Sequence, residues 1–442
     1  MVVGELSARL ADRGHNVTVV TSTRGKEAKF TDEFVGKVRV MRVPERIHLF
    51  EAPLIPQIPL RALFLDFDVL HVHGMSPTIT DLGIIVGKLK RKPVVLTYHN
   101  DAESTLEWGI AKFAANAYAR FSVPILQMAD SVVCSTRSYA ASSLALEHFR
   151  GRFEVIPLGV DARRFAKTGL RPPSIGRREV LFVGQLKEYK GVSFLIEAVA
   201  RLRRKGTDVT LTVVGDGPSY RRLRALAEIL GIGDHVRFAG NVDESKLVDY
   251  YEACDLVVLP SISRREAFGL VQLEASAAGK AVVASDIPGV GDVTRLVGGF
   301  LAKPSDADSL ALQIERALLV THDGTKLKET AASMNWDVVT TEYEELFQSL
   351  LETRVRARLD PSSSPEPRAA LAESPGYRSR SFRQGMWSFV AGSPETNGRW
   401  RNGVTHALDN LVDWLLENAY ALVCALAAVL VSIILLGSFV LQ

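Results

Sequence analysis

Cysteine is scarce in this 442-residue chain, which has only Cys134, Cys254 and Cys424. The three are far apart and lack the paired spacing of metal-binding motifs, which argues against a disulfide framework and fits a reducing compartment. An excess of one charge is also lacking, because 53 Lys and Arg residues stand against 50 Asp and Glu residues. This near balance gives no reason to expect a nucleic-acid partner.

A secretory signal is not predicted, because no charged segment followed by an apolar core opens the sequence. The other end differs: residues 419–441 are apolar almost throughout. As a helix this run would be about 34 Å long, enough to cross the roughly 30 Å hydrocarbon core of a bilayer. We therefore predict a single-pass membrane anchor over residues 415–441, with the globular part on the cytosolic side.

A linker is predicted over residues 354–414, where Pro, Ser and Arg are frequent and neither helical nor strand periodicity is sustained. Its arginines would either contact anionic lipid headgroups or simply belong to a soluble tether. The composition does not distinguish these two readings.

The rest of the chain predicts an α/β protein with two doubly wound, Rossmann-like domains. Apolar strands such as PVVLTYHN alternate with helical segments in the first half. The same alternation continues in the second half, with strands such as EVLFVGQL and CDLVVLPS. Such a pattern is typical of parallel sheets covered on both faces. We assign residues 1–165 and 166–353 to the two domains and expect ligands in the cleft between them, at the carboxyl ends of strands.

The first domain opens unusually, because MVVGELSARLADRGHNVTVVTS reads as a helix followed by a strand. A doubly wound domain normally begins with a strand that becomes central to its sheet. We expect such a strand, and the loop after it, to precede the helix, which implies a start site assigned too late. A strand donated by a partner is the alternative.

Several ordered motifs between Glu5 and about Leu351 carry a resemblance to one enzyme family. They include LADRGHNVTVVT, VVLTYHN, VIPLGVDARRF, VLFVGQLKEYKG, LTVVGDGPSYRRLRALAEILG and REAFGLVQLEASAAGKAVVAS. Each is weak alone, but in this order and spacing the chain resembles the GT-B glycosyltransferases of family 4. The resemblance implies a retaining enzyme that uses a nucleotide sugar bound between two Rossmann-like domains.

The last of these motifs contains two glutamates with seven residues between them, Glu266 and Glu274. The first N–H groups of a helix have no intrahelical partner and favour anions, so a diphosphate fits where the helix begins. The resemblance places Glu266 at the sugar hydroxyls, as a catalytic residue, and Glu274 at the ribose. Further donor-binding residues implied here are Phe268, Gly269 and Leu270.

A second donor-binding segment is predicted after the strand VLFVG, where Lys190 would neutralise the diphosphate leaving group. The resemblance also assigns Gly184 and Gln185 to the donor site. Most relatives have an arginine at the position of Gln185, and glutamine offers phosphate hydrogen bonds without charge. Arg264 or Arg265 would then supply the missing charge.

Two histidines follow neighbouring strands of the first domain. The resemblance places His99 near the transferred sugar, as a catalytic residue, whereas His73 is a candidate on the acceptor side. No Asp-x-Asp metal motif ends a strand, so we expect neither a metal nor another cofactor. The nucleotide sugar is a substrate, and front-face attack without a protein nucleophile is the expected route.

The predicted activity is therefore transfer of a hexose or N-acetylhexosamine from a UDP- or GDP-sugar to a membrane-associated acceptor, lipid-linked or phospholipid. A degenerate protein that binds a nucleotide sugar without turnover is one alternative. A nucleotide-sugar 2-epimerase, which shares the two-domain architecture, is the other. The sequence alone does not specify the base, the sugar, the acceptor or the oligomeric state.

Overall fold

The computed structural model describes residues 2–359 except 25–27, 46, 50–51, 56, 76, 102–117, 119–121, 144, 147–148, 150–152 and 166–177. These residues belong to one compact unit, Met1–Arg368. The predicted anchor over 415–441 and the linker beyond residue 359 lie outside the described residues. Within the described part, no helix is long and apolar enough to cross a membrane.

The first domain contains nine strands and four named helices among its described residues. They are α1 (Val2–Asp12), β1 (Thr18–Thr23), β2 (Thr31–Val35), β3 (Val38–Pro44), β4 (Ile47–Leu49), β5 (Ala52–Leu54), α2 (Gln57–Phe64), β6 (Leu70–His73), α3 (Leu82–Leu89), β7 (Val94–Tyr98), β8 (Ser131–Cys134), α4 (Arg137–Ala141) and β9 (Phe153–Val155). A parallel sheet runs in the order β6-β7-β8-β9, and every residue of β7 and β8 is buried because both faces are covered.

This domain also has a three-stranded sheet in the order β1-β3-β2 and a two-stranded sheet, β4-β5. Strand β1 pairs with β3 and strand β6 pairs with β7, and no described strand pairs with the second edge of either. Strand β1 is correspondingly only half-buried, unlike β7. The strand expected before α1 stays a prediction.

The second domain has a single six-stranded parallel sheet in the order β12-β11-β10-β13-β14-β15. Its elements are β10 (Arg178–Val183), α5 (Val192–Arg204), β11 (Val209–Val214), α6 (Tyr220–Ile229), β12 (Val236–Gly240), α7 (Glu244–Ala253), β13 (Leu256–Leu259), α8 (Val271–Ala277), β14 (Ala281–Ser285), α9 (Val290–Leu296), β15 (Phe300–Ala302), α10 (Ala307–Leu319) and α11 (Gly324–Ser333). Apolar side chains fill a core on each face of this sheet. The strand order reverses between β10 and β13, which makes their carboxyl ends a topological switch point.

The last helix, α12 (Trp336–Leu359), returns to the first domain. Its Trp336 and Val339 pack with Leu6 and Leu10 of α1 in one buried cluster. The helix runs past residue 353, the predicted end of the second domain. This part of the helix contacts the first domain, because Arg354 forms an ion pair with Asp130, with Nη2 and Oδ1 3.1 Å apart.

Candidate active site

The switch point brings together two loops that are far apart in sequence. Strands β10 and β13 are neighbours, with Val180 paired to Leu256, so the loops 184–191 and 260–266 leave the sheet side by side. The backbone N–H of Ile262 donates to the carbonyl of Tyr189 at 2.8 Å. This backbone contact fixes the loops to each other and sets the position of the side chains they carry.

Lys190 and Glu266, predicted separately as site residues, form an ion pair between these loops. The hydroxyl of Ser261 lies 3.2 Å from the same carboxylate oxygen of Glu266. The Lys190 and Glu266 side chains are only 15% and 13% exposed, so water screens the pair weakly. The Lys190 ammonium and the Glu266 carboxylate therefore have defined positions at the carboxyl ends of β10 and β13.

Gly191 is the residue that allows this approach. Its φ is +67°, and a Cβ there would lie 2.0 Å from the carbonyl oxygen of Pro260. We expect Gly191→Ala to destabilise the second domain by about 1–3 kcal/mol and to displace Lys190. Thermal unfolding and nucleotide titration measure the two effects.

Gly206→Ala is the matched control, because Gly206 also has positive φ, +89°, but no atom lies within 4 Å of its added Cβ. The control carries the backbone strain without the collision. Equal losses of stability and nucleotide binding in the two variants would show that close packing at Pro260 is unimportant.

Glu274 lies on α8, where the sequence places it, but its surroundings differ from those of Glu266. The residue is 9% exposed, and the hydroxyl of Tyr251 donates to its carboxylate at 2.6 Å. Burial raises the pKa of Glu274, whereas the Tyr251 hydrogen bond and the charge of Arg164 oppose the rise. Tyr251 and Arg164 were not found from the sequence, because no motif distinguishes a tyrosine or arginine at those positions.

The remaining predicted donor-site residues have contrasting environments. Phe268 is 4% exposed and packs in the core, and α8 begins two residues after Gly269. Gly184 packs closely on Gly215, whose added Cβ would lie 2.0 Å from the Gly184 carbonyl oxygen. Gln185 is exposed. The donor role of these residues stays a prediction.

In the first domain, the structure places His73 and His99 together. The Nδ1 atom of His73 lies 3.1 Å from Nε2 of His99, and the two rings stack with centroids 5.3 Å apart. Burial lowers the pKa of both imidazoles. Because a hydrogen bond between neutral imidazoles needs one donor and one acceptor, the contact couples their tautomers.

Arg264 pairs with a residue of the first domain rather than with the segment that carries Gln185. Its guanidinium points into the first domain, where Nη2 lies 2.8 Å from Oδ2 of Asp101. Arg265 instead lies over the ring of Tyr189, 4.8 Å from its centroid. Both contacts involve partners that the sequence did not reveal, and compensation for Gln185 by Arg264 or Arg265 stays a prediction.

Metal ligands are not gathered anywhere in the described part of the chain: no group of three or more His, Cys, Asp or Glu side chains is suitably placed there. The described cysteines, Cys134 and Cys254, are buried free thiols. Burial raises the pKa of Cys254 to about 12, which keeps this thiol protonated and unreactive.

Two family models match the chain and together span most of the described residues. Residues 1–164 match the model described as Glycosyltransferase Family 4, and residues 172–334 match that described as Glycosyl transferases group 1. The chain belongs to the GT-B glycosyltransferases of family 4. It is an enzyme of the transferase class, which confirms the resemblance carried by the sequence motifs.

The glycosyltransferase is similar to proteins with several different substrates. It is 29% identical over 340 residues to the glycogen synthase of Mycobacterium tuberculosis, covering 72% of this chain and 81% of that protein. It is 26% identical over 371 residues to the phosphatidyl-myo-inositol mannosyltransferase of Mycolicibacterium smegmatis, covering 80% and 91%. These relatives support glycosyl transfer in general rather than one substrate.

Among solved structures, the sucrose-phosphate synthase from Thermosynechococcus elongatus superposes with a TM-score of 0.64 at 25% identity. The match covers 79% of this chain and 93% of that one. It confirms the predicted α/β GT-B fold.

Proposed function

We propose that this glycosyltransferase retains the anomeric configuration of a hexose or N-acetylhexosamine that it takes from a UDP- or GDP-sugar. The observation that carries the proposal is the mostly buried Lys190–Glu266 ion pair at the switch point of the second sheet. A diphosphate leaving group develops negative charge during transfer, and a pre-positioned ammonium stabilises that charge. A carboxylate beside it accepts hydrogen bonds from sugar hydroxyls.

The proposed roles follow from the surroundings of the Lys190–Glu266 pair and of Glu274. Lys190 approaches the diphosphate after exchanging part of its contact with Glu266, and Glu266 then orients the sugar. Glu274, held by Tyr251 at 2.6 Å, accepts hydrogen bonds from the ribose hydroxyls. The exposed Gln185 donates an uncharged hydrogen bond to phosphate. The sugar lies between this surface and His99.

The proposed chemistry needs no nucleophile from the protein. The bond between the anomeric carbon and the phosphate oxygen breaks as the acceptor oxygen attacks from the same face. The acceptor's proton moves to the departing phosphate oxygen, so charge and protons balance. The protein contributes by holding the reactants in place and by stabilising the leaving group.

For the acceptor, we propose a lipid-linked or phospholipid molecule at a membrane. The apolar run 419–441 supports this choice as a single-pass anchor with the catalytic domains on the cytosolic side. A tether to the surface that carries the acceptor raises its effective concentration. The similarity to a phosphatidyl-myo-inositol mannosyltransferase is compatible with such an acceptor.

Thermal unfolding of the full chain in detergent, with UDP, GDP and their sugars, tests the donor. A ligand at 100 times its dissociation constant should add about 2.7 kcal/mol of stability. Stabilisation by only one base would identify the donor class. Stabilisation by neither would contradict the proposed donor site.

In the same preparation, faster transfer to soluble sugars than to membrane lipids would contradict the proposed acceptor.

A further inference from the structure

The ion pair between Asp101 and Arg264 joins the loops that carry two proposed site residues. Asp101 follows His99 by two residues in the first domain, and Arg264 precedes Glu266 by two residues in the second. The Nη2 atom of Arg264 lies 2.8 Å from Oδ2 of Asp101. The pair therefore joins the two domains beside the proposed site.

Asp101 is held in a fixed position by the first domain. Its Oδ1 atom accepts hydrogen bonds from the hydroxyl of Tyr98 at 2.6 Å and from that of Ser143 at 2.5 Å. Its backbone N–H donates to the hydroxyl of Tyr139 at 2.7 Å. With both carboxylate oxygens occupied, the side chain has little freedom to rotate away from Arg264.

Arg264 makes two further contacts with the first domain. Its guanidinium lies 5.2 Å from the centroid of the Tyr139 ring and donates to the backbone carbonyl of Ser142. The Arg264 and Asp101 side chains are 22% and 11% exposed, so the charges are largely shielded from solvent. A planar guanidinium fits this combination of ring, carbonyl and carboxylate, which an ammonium group would fill only in part.

Helix α4, which carries Tyr139, makes a second contact with the second domain. The hydroxyl of Ser138, on α4, donates to Asp292 at 2.5 Å and accepts from the N–H of Gly289 at 2.9 Å. Gly289 has φ +86°, and a Cβ there would lie 1.9 Å from the carbonyl oxygen of Ala267. Helix α4 thus contacts both the segment of Arg264 and the start of α9 in the second domain.

We propose that Asp101 and Arg264 are positioning residues that set the spacing across the cleft between His99 and Glu266. The inference rests on the proposed function for the roles of those two residues. Each residue of the ion pair is only two positions from a proposed site residue. A shift of the pair should therefore move that site residue as well. Donor binding depends on groups within the second domain, whereas catalysis also needs the first domain at the correct distance.

Loss of the pair should therefore affect turnover more than nucleotide affinity. Since a displacement of about 1 Å can cost about 10²-fold in rate, we expect Asp101→Asn to lower kcat by about 10- to 100-fold. The dissociation constant for the nucleotide should change by less than about threefold. Arg264→Lys should recover part of the loss seen in Arg264→Gln, because it restores the charge but not the planar fork.

Asp208→Asn is the matched control, because Asp208 pairs with Arg203 at 3.1 Å within the second domain. Equal kcat values for Asp101→Asn and Asp208→Asn would overturn the proposal. So would additive losses of transition-state stabilisation in the double variant Asp101→Asn/Arg264→Gln, since residues that act as a pair are not additive.

A distance measurement tests the positioning role without turnover. Spin labels at Leu89→Cys and Ile229→Cys, 70% and 81% exposed in the native protein, report the separation of the two domains in a full-length Cys424→Ser background. We expect one narrow distance distribution with the native pair and a broader one with Asp101→Asn. An unchanged distribution would overturn the proposal. Because no donor is needed, this result is independent of the proposed function.

Discussion

Lys190→Met should lower kcat by about 10²- to 10³-fold, the loss typical of removing one group that stabilises charge in a transition state. The methionine keeps an unbranched apolar side chain, so the loop should retain its path around Tyr189 and Gly191. Because leaving-group charge develops mainly in the transition state, kcat should fall more than nucleotide affinity does. Steady-state transfer rates and calorimetric titration of the nucleotide measure the two quantities.

Removing Lys190 also leaves the mostly buried Glu266 carboxylate without its ion-pair partner, although Ser261 still donates a hydrogen bond to it. Such an arrangement costs stability in itself. The double variant Lys190→Met/Glu266→Gln separates the effects, because it restores stability but not turnover if the two residues act together. Lys205→Met, at the end of α5, is the control for loss of a lysine charge. A Lys190→Met enzyme within threefold of the control would show that the ammonium does not stabilise the leaving group.

The alternation of strands and helices in the second domain was predictable because local physics determines it. Strand β11 is apolar along its length and buried on both faces, and α5 places Leu195, Ile196 and Val199 on its buried side. Lys190 and Glu266 were assigned through the family resemblance, and their loops meet because polar groups that follow neighbouring parallel strands lie at one edge of the sheet.

The partners of these groups were not predictable, because they depend on how distant segments pack. Tyr251 reaches Glu274 from α7, and Asp101 attracts Arg264 across 163 positions of sequence. Neither partner belongs to a motif with a fixed spacing. Sequence reasoning recognised that Arg264 lies beside the site, but it could not determine which way the guanidinium points.

Glu274→Gln should have opposite effects on stability and on donor binding. Burial raises the pKa of Glu274 above its ordinary value, so the folded protein is destabilised whenever this carboxylate is ionised. That penalty grows as pH rises from the ordinary value through the raised pKa and is complete above it. The neutral glutamine avoids the penalty and still accepts from Tyr251, so the ligand-free variant should unfold at a higher temperature than the native protein near pH 8, with less advantage at lower pH.

Nucleotide binding should be weakened in the same variant, because hydrogen bonds from ribose hydroxyls to a carboxylate are stronger than those to an amide. A loss of about 10- to 100-fold in affinity would reduce stabilisation at a fixed nucleotide concentration from about 2.7 to about 0.4–1.4 kcal/mol. Glu329→Gln, on the exposed side of α11, should change neither quantity. Full nucleotide stabilisation in Glu274→Gln would contradict the ribose contact. A lower unfolding temperature without ligand would instead mean that the carboxylate supports the fold, because the native hydrogen bond then outweighs its cost of burial.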